Sequence, residues 1–197
     1  MDILYQLPLP DVVCSKIFGY ACKSPHIGLS ATIVKKLIGL DIYNTLMGNG
    51  GIVLDGDGNV VEFLVWKLVG KGFLLDNKEL KLLTFDIAHL TSLPNLTKIG
   101  LFRTGVTGDI IHLKSLSKLT EIDLRETGVT GDIVHMKSLR NLTEIDLSET
   151  AVTGDIIHLK SQPSLTEIWL SGTGVTGDEN AFDGYRETAG LPDCYIY

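Results

Sequence analysis

The sequence predicts a right-handed α/β solenoid: a horseshoe arc with a parallel sheet on its concave face and a helical cap at its N-terminus. Three observations predict it. Residues 96 to 187 are four copies of one stretch, LTKIGLFRTGVTGDIIHLKSLSK, LTEIDLRETGVTGDIVHMKSLRN, LTEIDLSETAVTGDIIHLKSQPS and LTEIWLSGTGVTGDENAFDGYRE, which begin at Leu96, Leu119, Leu142 and Leu165, a period of 23 residues. Each copy opens with apolar and polar residues in alternation, the pattern of a short strand with one face in and one face out. Residues 1 to 50 lack the repeat and instead carry apolar residues at helical spacing. A single copy cannot bury both of its apolar edges, whereas stacked copies bury one continuous core.

In chain order, residues 1–50 form a helical module. Leu9-Pro10-Asp11 leads into apolar Val13, Ile17 and Phe18, then Tyr20 and Ala21, as an amphipathic helix does after an entering proline. A second helix is expected from about Ile27 to Met47, through Ile33, Val34, Leu37 and Ile38, until Gly48-Asn49-Gly50-Gly51 breaks it. Leu9, Pro10, Val13, Ile17, Phe18 and Tyr20 resemble the first helix of an F-box. That resemblance covers one helix and implies docking on the adaptor of a cullin-type ubiquitin ligase. The other reading of the module is a cap over the exposed first coil, which every solenoid needs. The two are compatible.

The repeat domain spans residues 51–197. Ile52-Val53-Leu54 and Val60-Val61-Glu62-Phe63 flank Asp55-Gly56-Asp57-Gly58-Asn59, which predicts a hairpin over 52–63. Asp55, Asp57 and Asn59 also match positions 1, 3 and 5 of a calcium loop, but Val60 stands where that loop needs glycine and Trp66 where it needs glutamate. The hairpin therefore leads into a first coil starting at Val60, lengthened by GKGFLLDNKELKL before Phe85-Asp86-Ile87 restores the register. Coils then start at 96, 119, 142 and 165, and Leu191-x-x-Cys194-x-Ile196 predicts a last strand over 191–197. Phe182 and Tyr185 are expected to close the core from one helix face. A sheet ending on a strand leaves an open edge, which predicts self-association or a partner there.

In the second copy Leu119, Ile122 and Leu124 point inward and Glu121, Asp123 and Arg125 outward. Val129 and Ile133 carry the chain behind the strand, Gly131 supplies a conformation that a Cβ disfavours, and Asp132 stands at an N-cap position. The L-x-x-L-x-L core with V-T-G-D-I behind it resembles plant-type leucine-rich repeats, with their L-x-G-x-I-P segment. Two columns depart from that family. Ile111, Val134 and Ile157 replace its proline, and Thr104, Thr127, Thr150 and Thr173 replace its asparagine. The threonine hydroxyls are expected to satisfy backbone groups in the turn, as asparagine does in the family.

Composition narrows the function. The chain has 197 residues, is 44% hydrophobic and 21% charged, and carries a formal charge of −7, which argues against nucleic acid as a partner because phosphate neutralisation needs a basic surface. The first ten residues lack the pattern of a signal peptide, and no apolar run reaches membrane-spanning length. Three scattered cysteines, Cys14, Cys22 and Cys194, make no disulfide framework; secreted members of the resembled class carry paired cysteines in their caps. An intracellular protein, cytoplasmic or nuclear, is expected, with no membrane partner.

Three columns are candidates for function. His89, His112, His135 and His158 recur once per coil, but each follows a capping aspartate by three residues and is copied with the repeat, so no metal and no cofactor are expected. On the concave face, Glu62, Lys98, Glu121, Asp123, Glu126, Glu144, Asp146, Glu149 and Glu167, relieved by Arg103 and Arg125, form an acidic surface. Like charges on adjacent strands repel by up to about 1 kcal/mol per close pair, and folding does not ask for them; the surface suits a basic partner. Trp66, Phe102 and Trp169 point the same way, and exposed aromatics beside charge are common interface anchors. No nucleophile elbow, phosphate loop or H-E-x-x-H is present. The expectation is a non-catalytic protein-binding module that uses Lys98, Phe102, Arg103, Glu121, Asp123, Arg125, Glu144, Asp146, Glu167 and Trp169. The alternative is an F-box-like substrate receptor docking through Val13, Ile17, Phe18 and Tyr20.

Overall fold

Each 23-residue copy folds into one turn of a stacked coil, and the stacking registers residue on residue. The structure, a computed structural model, describes residues 29–65 and 80–197. Val13, Ile17, Phe18, Tyr20 and Trp66 lie outside the described residues. Among the described residues two helices come first, α1 (Leu29–Ile38) and α2 (Leu40–Gly48), followed by the hairpin strands β1 (Ile52–Leu54) and β2 (Val60–Leu64). The strands that open the copies are β3 (Lys98–Gly100), β5 (Glu121–Asp123), β7 (Glu144–Asp146) and β9 (Glu167–Trp169). Interleaved with them are β4 (Thr107–Asp109), β6 (Gly128–Asp132), β8 (Ala151–Asp155) and β10 (Gly174–Thr176), and the chain ends with α3 (Glu179–Thr188) and β11 (Tyr195–Ile196).

Among the described residues a seven-stranded sheet runs in the order β1-β2-β3-β5-β7-β9-β11, parallel from β2 onward. Ile99, Ile122, Ile145 and Ile168 pair in succession across it. A second parallel sheet, β10-β8-β6-β4, backs the turns. Between them the apolar columns Leu96, Leu119, Leu142 and Leu165, and Leu101, Leu124 and Leu147, are fully buried. The first coil joins them through Val60, Phe63 and Val65, also fully buried.

The polar columns hold the turns. The hydroxyls of Thr104, Thr127, Thr150 and Thr173 donate to the carbonyls of Leu101, Leu124, Leu147 and Leu170 at 2.6–2.7 Å, so threonine satisfies backbone inside each coil. A second threonine column stitches coil to coil: Thr97, Thr120, Thr143 and Thr166 donate to the carbonyls of Val61, Thr97, Thr120 and Thr143 at 2.9–3.0 Å. Behind the sheet, Asp86, Asp109, Asp132 and Asp155 cap short 3₁₀ turns by accepting from the backbone N–H two residues on, at 2.8–2.9 Å. The glycine before each later cap is forced twice over. Gly131 has φ 113°, and a Cβ there would meet the Asp109 carboxylate of the preceding coil.

Three expectations are corrected. The helix foreseen from Ile27 to Met47 is broken at Gly39, which takes φ 80° between α1 and α2. The break folds the two helices together, so that Ala31, Val34 and Leu46 join the core beside Ile52. Tyr185 does not close the core with Phe182. Arg186, one turn on from Phe182, is the buried partner, and Tyr185 stands 39% exposed beneath the Lys160 ammonium. The last strand is also registered differently. Ile196, not Cys194, pairs with Ile168, and Tyr195 pairs with Glu167.

Candidate partner-binding face

The outward side chains of the seven-stranded sheet stand in rows set by the pairing. The first row runs Glu62, Lys98, Glu121, Glu144, Glu167, Tyr195, and the second runs Leu64, Gly100, Asp123, Asp146, Trp169. Tyr197 extends the second row, because its N–H bonds Ile168 and its carbonyl accepts from Leu170. A third row, just past the strands, holds Phe102, Arg125, Ser148 and Ser171, continued by ladder bonds from the Leu101, Leu124 and Leu147 N–H groups. Nine of the ten predicted face residues stand in these rows, although they differ in what they present; Arg103 alone lies outside them.

The N-terminal part of the face is neutralised from within. The Lys98 ammonium donates to Glu121 Oε1 at 2.6 Å, which holds Lys98 above the ordinary lysine range. Arg125 spans two strands, 3.3 Å from carboxylate oxygens of both Asp123 and Asp146, and its guanidinium lies 4.8 Å from the centre of the Phe102 ring. Phe102 is thus covered by its own neighbour, and Asp146 is only 7% exposed. The sequence placed Asp146 among the presented charges; Arg125 and the Ser148 N–H, 3.0 Å from its Oδ1, close over it instead. Arg103 turns aside at φ 58° and pairs with Glu126 at 2.7 Å. Burial pushes the Asp123 carboxyl up to about 6, with Asp146 adding to the shift and Arg125 opposing it.

The C-terminal part is not neutralised. Glu144 and Glu167 sit on adjacent strands, and neither has a cation within ion-pair distance among the described residues. Partial burial, then the charges of Glu121, Glu167 and Asp146, raise Glu144 above the usual carboxylate range. Trp169 stacks on Tyr197, with ring centres 5.2 Å apart and planes 15° from parallel. Tyr195 and Tyr197 are 60% and 58% exposed. Sequence reasoning missed both tyrosines, because the spacing alignment set Cys194 and Ile196 two residues out of register. The signal that finds Tyr197 is an aromatic placed one coil beyond Trp169.

Elsewhere the polar clusters are structural. Asp55 accepts from the Asn59 N–H, the Asn59 side-chain amide and the Asp57 N–H, which in that order hold its carboxyl below the usual range, and it also accepts from the Asn95 side-chain amide. That carboxylate organises the hairpin turn. Among the described residues no three histidine, cysteine or acidic side chains converge as metal ligands, the histidine column included. A shallow groove of about 630 Å³ lies beside the turns, lined by Thr104, Gly105, Thr107, Thr127 and Gly128, with Lys81, Glu126 and Glu149 at its charged positions. No helix among the described residues is long and apolar enough to cross a membrane.

Comparison with known proteins identifies the fold. No family model matches the sequence, and no curated protein matches it. Solved structures do match. The leucine-rich-repeat ectodomain of the receptor kinase SOBIR1 from Arabidopsis thaliana is 17% identical over 85% of this chain and 92% of that one, with a TM-score of 0.54. A plant ice-binding protein is 20% identical over 85% of this chain, with a TM-score of 0.63, and this chain spans 55% of it. The leucine-rich-repeat ectodomain of the Arabidopsis receptor kinase HAESA, in complex with an IDA peptide hormone, is 19% identical over 76% of this chain, with a TM-score of 0.54; this chain spans 26% of its length.

Proposed function

From a leucine-rich-repeat solenoid we propose a non-catalytic interaction module that holds a protein partner against the outward, concave face of its seven-stranded sheet. One observation carries the reading. Trp169 and Tyr197 form an aromatic pair on that face beside carboxylates with no internal cation, although the matching positions of the two preceding coils hold Asp123 and Asp146. Core packing asks for no aromatic there, whereas aromatic anchors rimmed by charge dominate interface energetics. The HAESA ectodomain, which shares the fold, was solved with a peptide bound.

Affinity capture with Trp169→Ala tests this reading. The substitution is expected to lower recovery of the partner at least about tenfold, the scale of a hot-spot truncation, with an unchanged melting curve. Unchanged recovery would remove Trp169 as the anchor. The adaptor-docking alternative is separated by deleting residues 1–28, since α1 and α2 already supply core residues beside the hairpin. Loss of a cullin-ligase adaptor from that capture, with the sheet-face partner retained, would assign Val13, Ile17, Phe18 and Tyr20 to docking. We also read the chain as intracellular, a reading supported by the buried free thiol of Cys194.

A further inference from the structure

The face solves one electrostatic problem twice with its own cations and leaves it open the third time. Lys98 sits in the first row between Glu62 and Glu121 and bonds Glu121. Arg125 bridges Asp123 and Asp146 while its guanidinium covers the Phe102 ring. Glu144 and Glu167 are the next adjacent pair, and the aromatic beside them is Trp169, two residues from Glu167 on the same strand and the same face. Carboxylates and aromatic are present, but no cation of the described residues lies within ion-pair distance of them; Lys98, bonded to Glu121, acts on Glu144 only from farther along the row.

We propose that Glu144, Glu167 and the Trp169–Tyr197 stack form a seat for one arginine side chain of the protein partner. Arginine fits better than lysine. Its planar fork spans two carboxylates and sits over an aromatic face, as Arg125 bridges Asp123 and Asp146 over Phe102, whereas an ammonium is a hydrated point charge. The partner is thereby a protein with an arginine in an exposed segment, and the raised Glu144 carboxyl returns toward its ordinary range once that arginine arrives. The inference rests on the sheet face being the binding face, and goes beyond it in naming the recognised group.

The probe is a capped tetra-arginine peptide, with tetra-lysine and tetra-citrulline peptides alongside, titrated into the full chain. The readouts are calorimetry and the two tryptophan indole NMR resonances, assigned with Trp66→Phe. Tetra-arginine is expected to bind more tightly than tetra-lysine and to shift the Trp169 resonance, and the uncharged citrulline peptide is expected not to bind. The double variant E144Q/E167Q is expected to weaken tetra-arginine about tenfold and, by removing like-charge repulsion, to raise the melting temperature of the free protein. The variant D183N/E187Q makes the same change in net charge on exposed positions of α3 and is expected to change affinity less than about twofold. Equal losses in the two double variants, a stationary Trp169 resonance, or no binding of tetra-arginine would each overturn the seat. If the natural partner is lost with Trp169→Ala but kept with E144Q/E167Q, the seat falls and the binding face stands.

Discussion

Gly131 shows how much of this molecule is decided by one hydrogen atom in place of a methyl group. Its φ of 113° and the Asp109 carboxylate packed against it leave no room for a Cβ, and Gly108, Gly154 and Gly177 repeat the situation against Asp86, Asp132 and Asp155. Gly131→Ala is expected to cost about 2–3 kcal/mol in urea unfolding. Gly184, in α3 with nothing near its Cβ position, gives the contrast: Gly184→Ala should stabilise by about 0.5–1 kcal/mol. Both signs follow from local geometry, and a stabilised Gly131→Ala would refute the packing of aspartate on glycine. Asp123 supplies a pH signature. Its carboxyl is raised from 3.8 to about 6, so between those values the folded protein holds a proton that the unfolded chain releases. Stability from this group is therefore lost as pH rises through that window. Asp123→Asn should flatten the dependence and gain on the parent on the order of 2 kcal/mol more at pH 7 than at pH 4, read from denaturant midpoints at the two pH values. The repeated residues were legible in the sequence, because twofold alternation and the period state which way each points. Burial of Asp146 was not, since it depends on how Arg125 lies across two strands.

At the scale of elements, α3 replaces the back half of a coil and is locked by a single side chain. Arg186 is 2% exposed, and its guanidinium donates to the carbonyls of Lys160, Gln162, Leu165 and Pro192 at 2.6–3.3 Å, over the Phe182 ring. Four backbone acceptors that successive coils would otherwise have to satisfy are met at once. Arg186→Met keeps the bulk and removes the donors, and is expected to cost about 3 kcal/mol. Amide hydrogen exchange should show α3 and β11 opening before the central strands; uniform loss of protection would contradict this local role. The C-terminal pairing was not legible for a physical reason. Residues 188–197 occur once, so no neighbouring copy indicates the register, and α3 rather than a hydrophobic spacing decides where the chain re-enters the sheet. The kink at Gly39 was hidden likewise, because the apolar periodicity of α1 continues into α2 and glycine within a helix pattern does not by itself announce a break.

At the scale of the molecule, a continuous core runs from Ala31 to Cys194 without a seam. Ile122 sits in its middle, 1% exposed, between Ile99 and Ile145. Ile122→Asp buries a charge with no partner and is expected to abolish the cooperative thermal transition seen by circular dichroism; a retained sharp transition would mean that the two halves of the stack fold independently. The partner contact we propose falls on the outward sheet rows, away from the 3₁₀ turns that carry the histidine column. The most direct measurement is site-specific photo-crosslinking in cell extract, with the crosslinking residue at Ser148 and Ser171 on the sheet face and, in a separate chain, at Ser115 in a turn behind the sheet. One partner protein is expected to crosslink from Ser148 and Ser171 and to be absent from Ser115. The same partner from Ser115 alone, or equally from all three, would contradict the proposed contact.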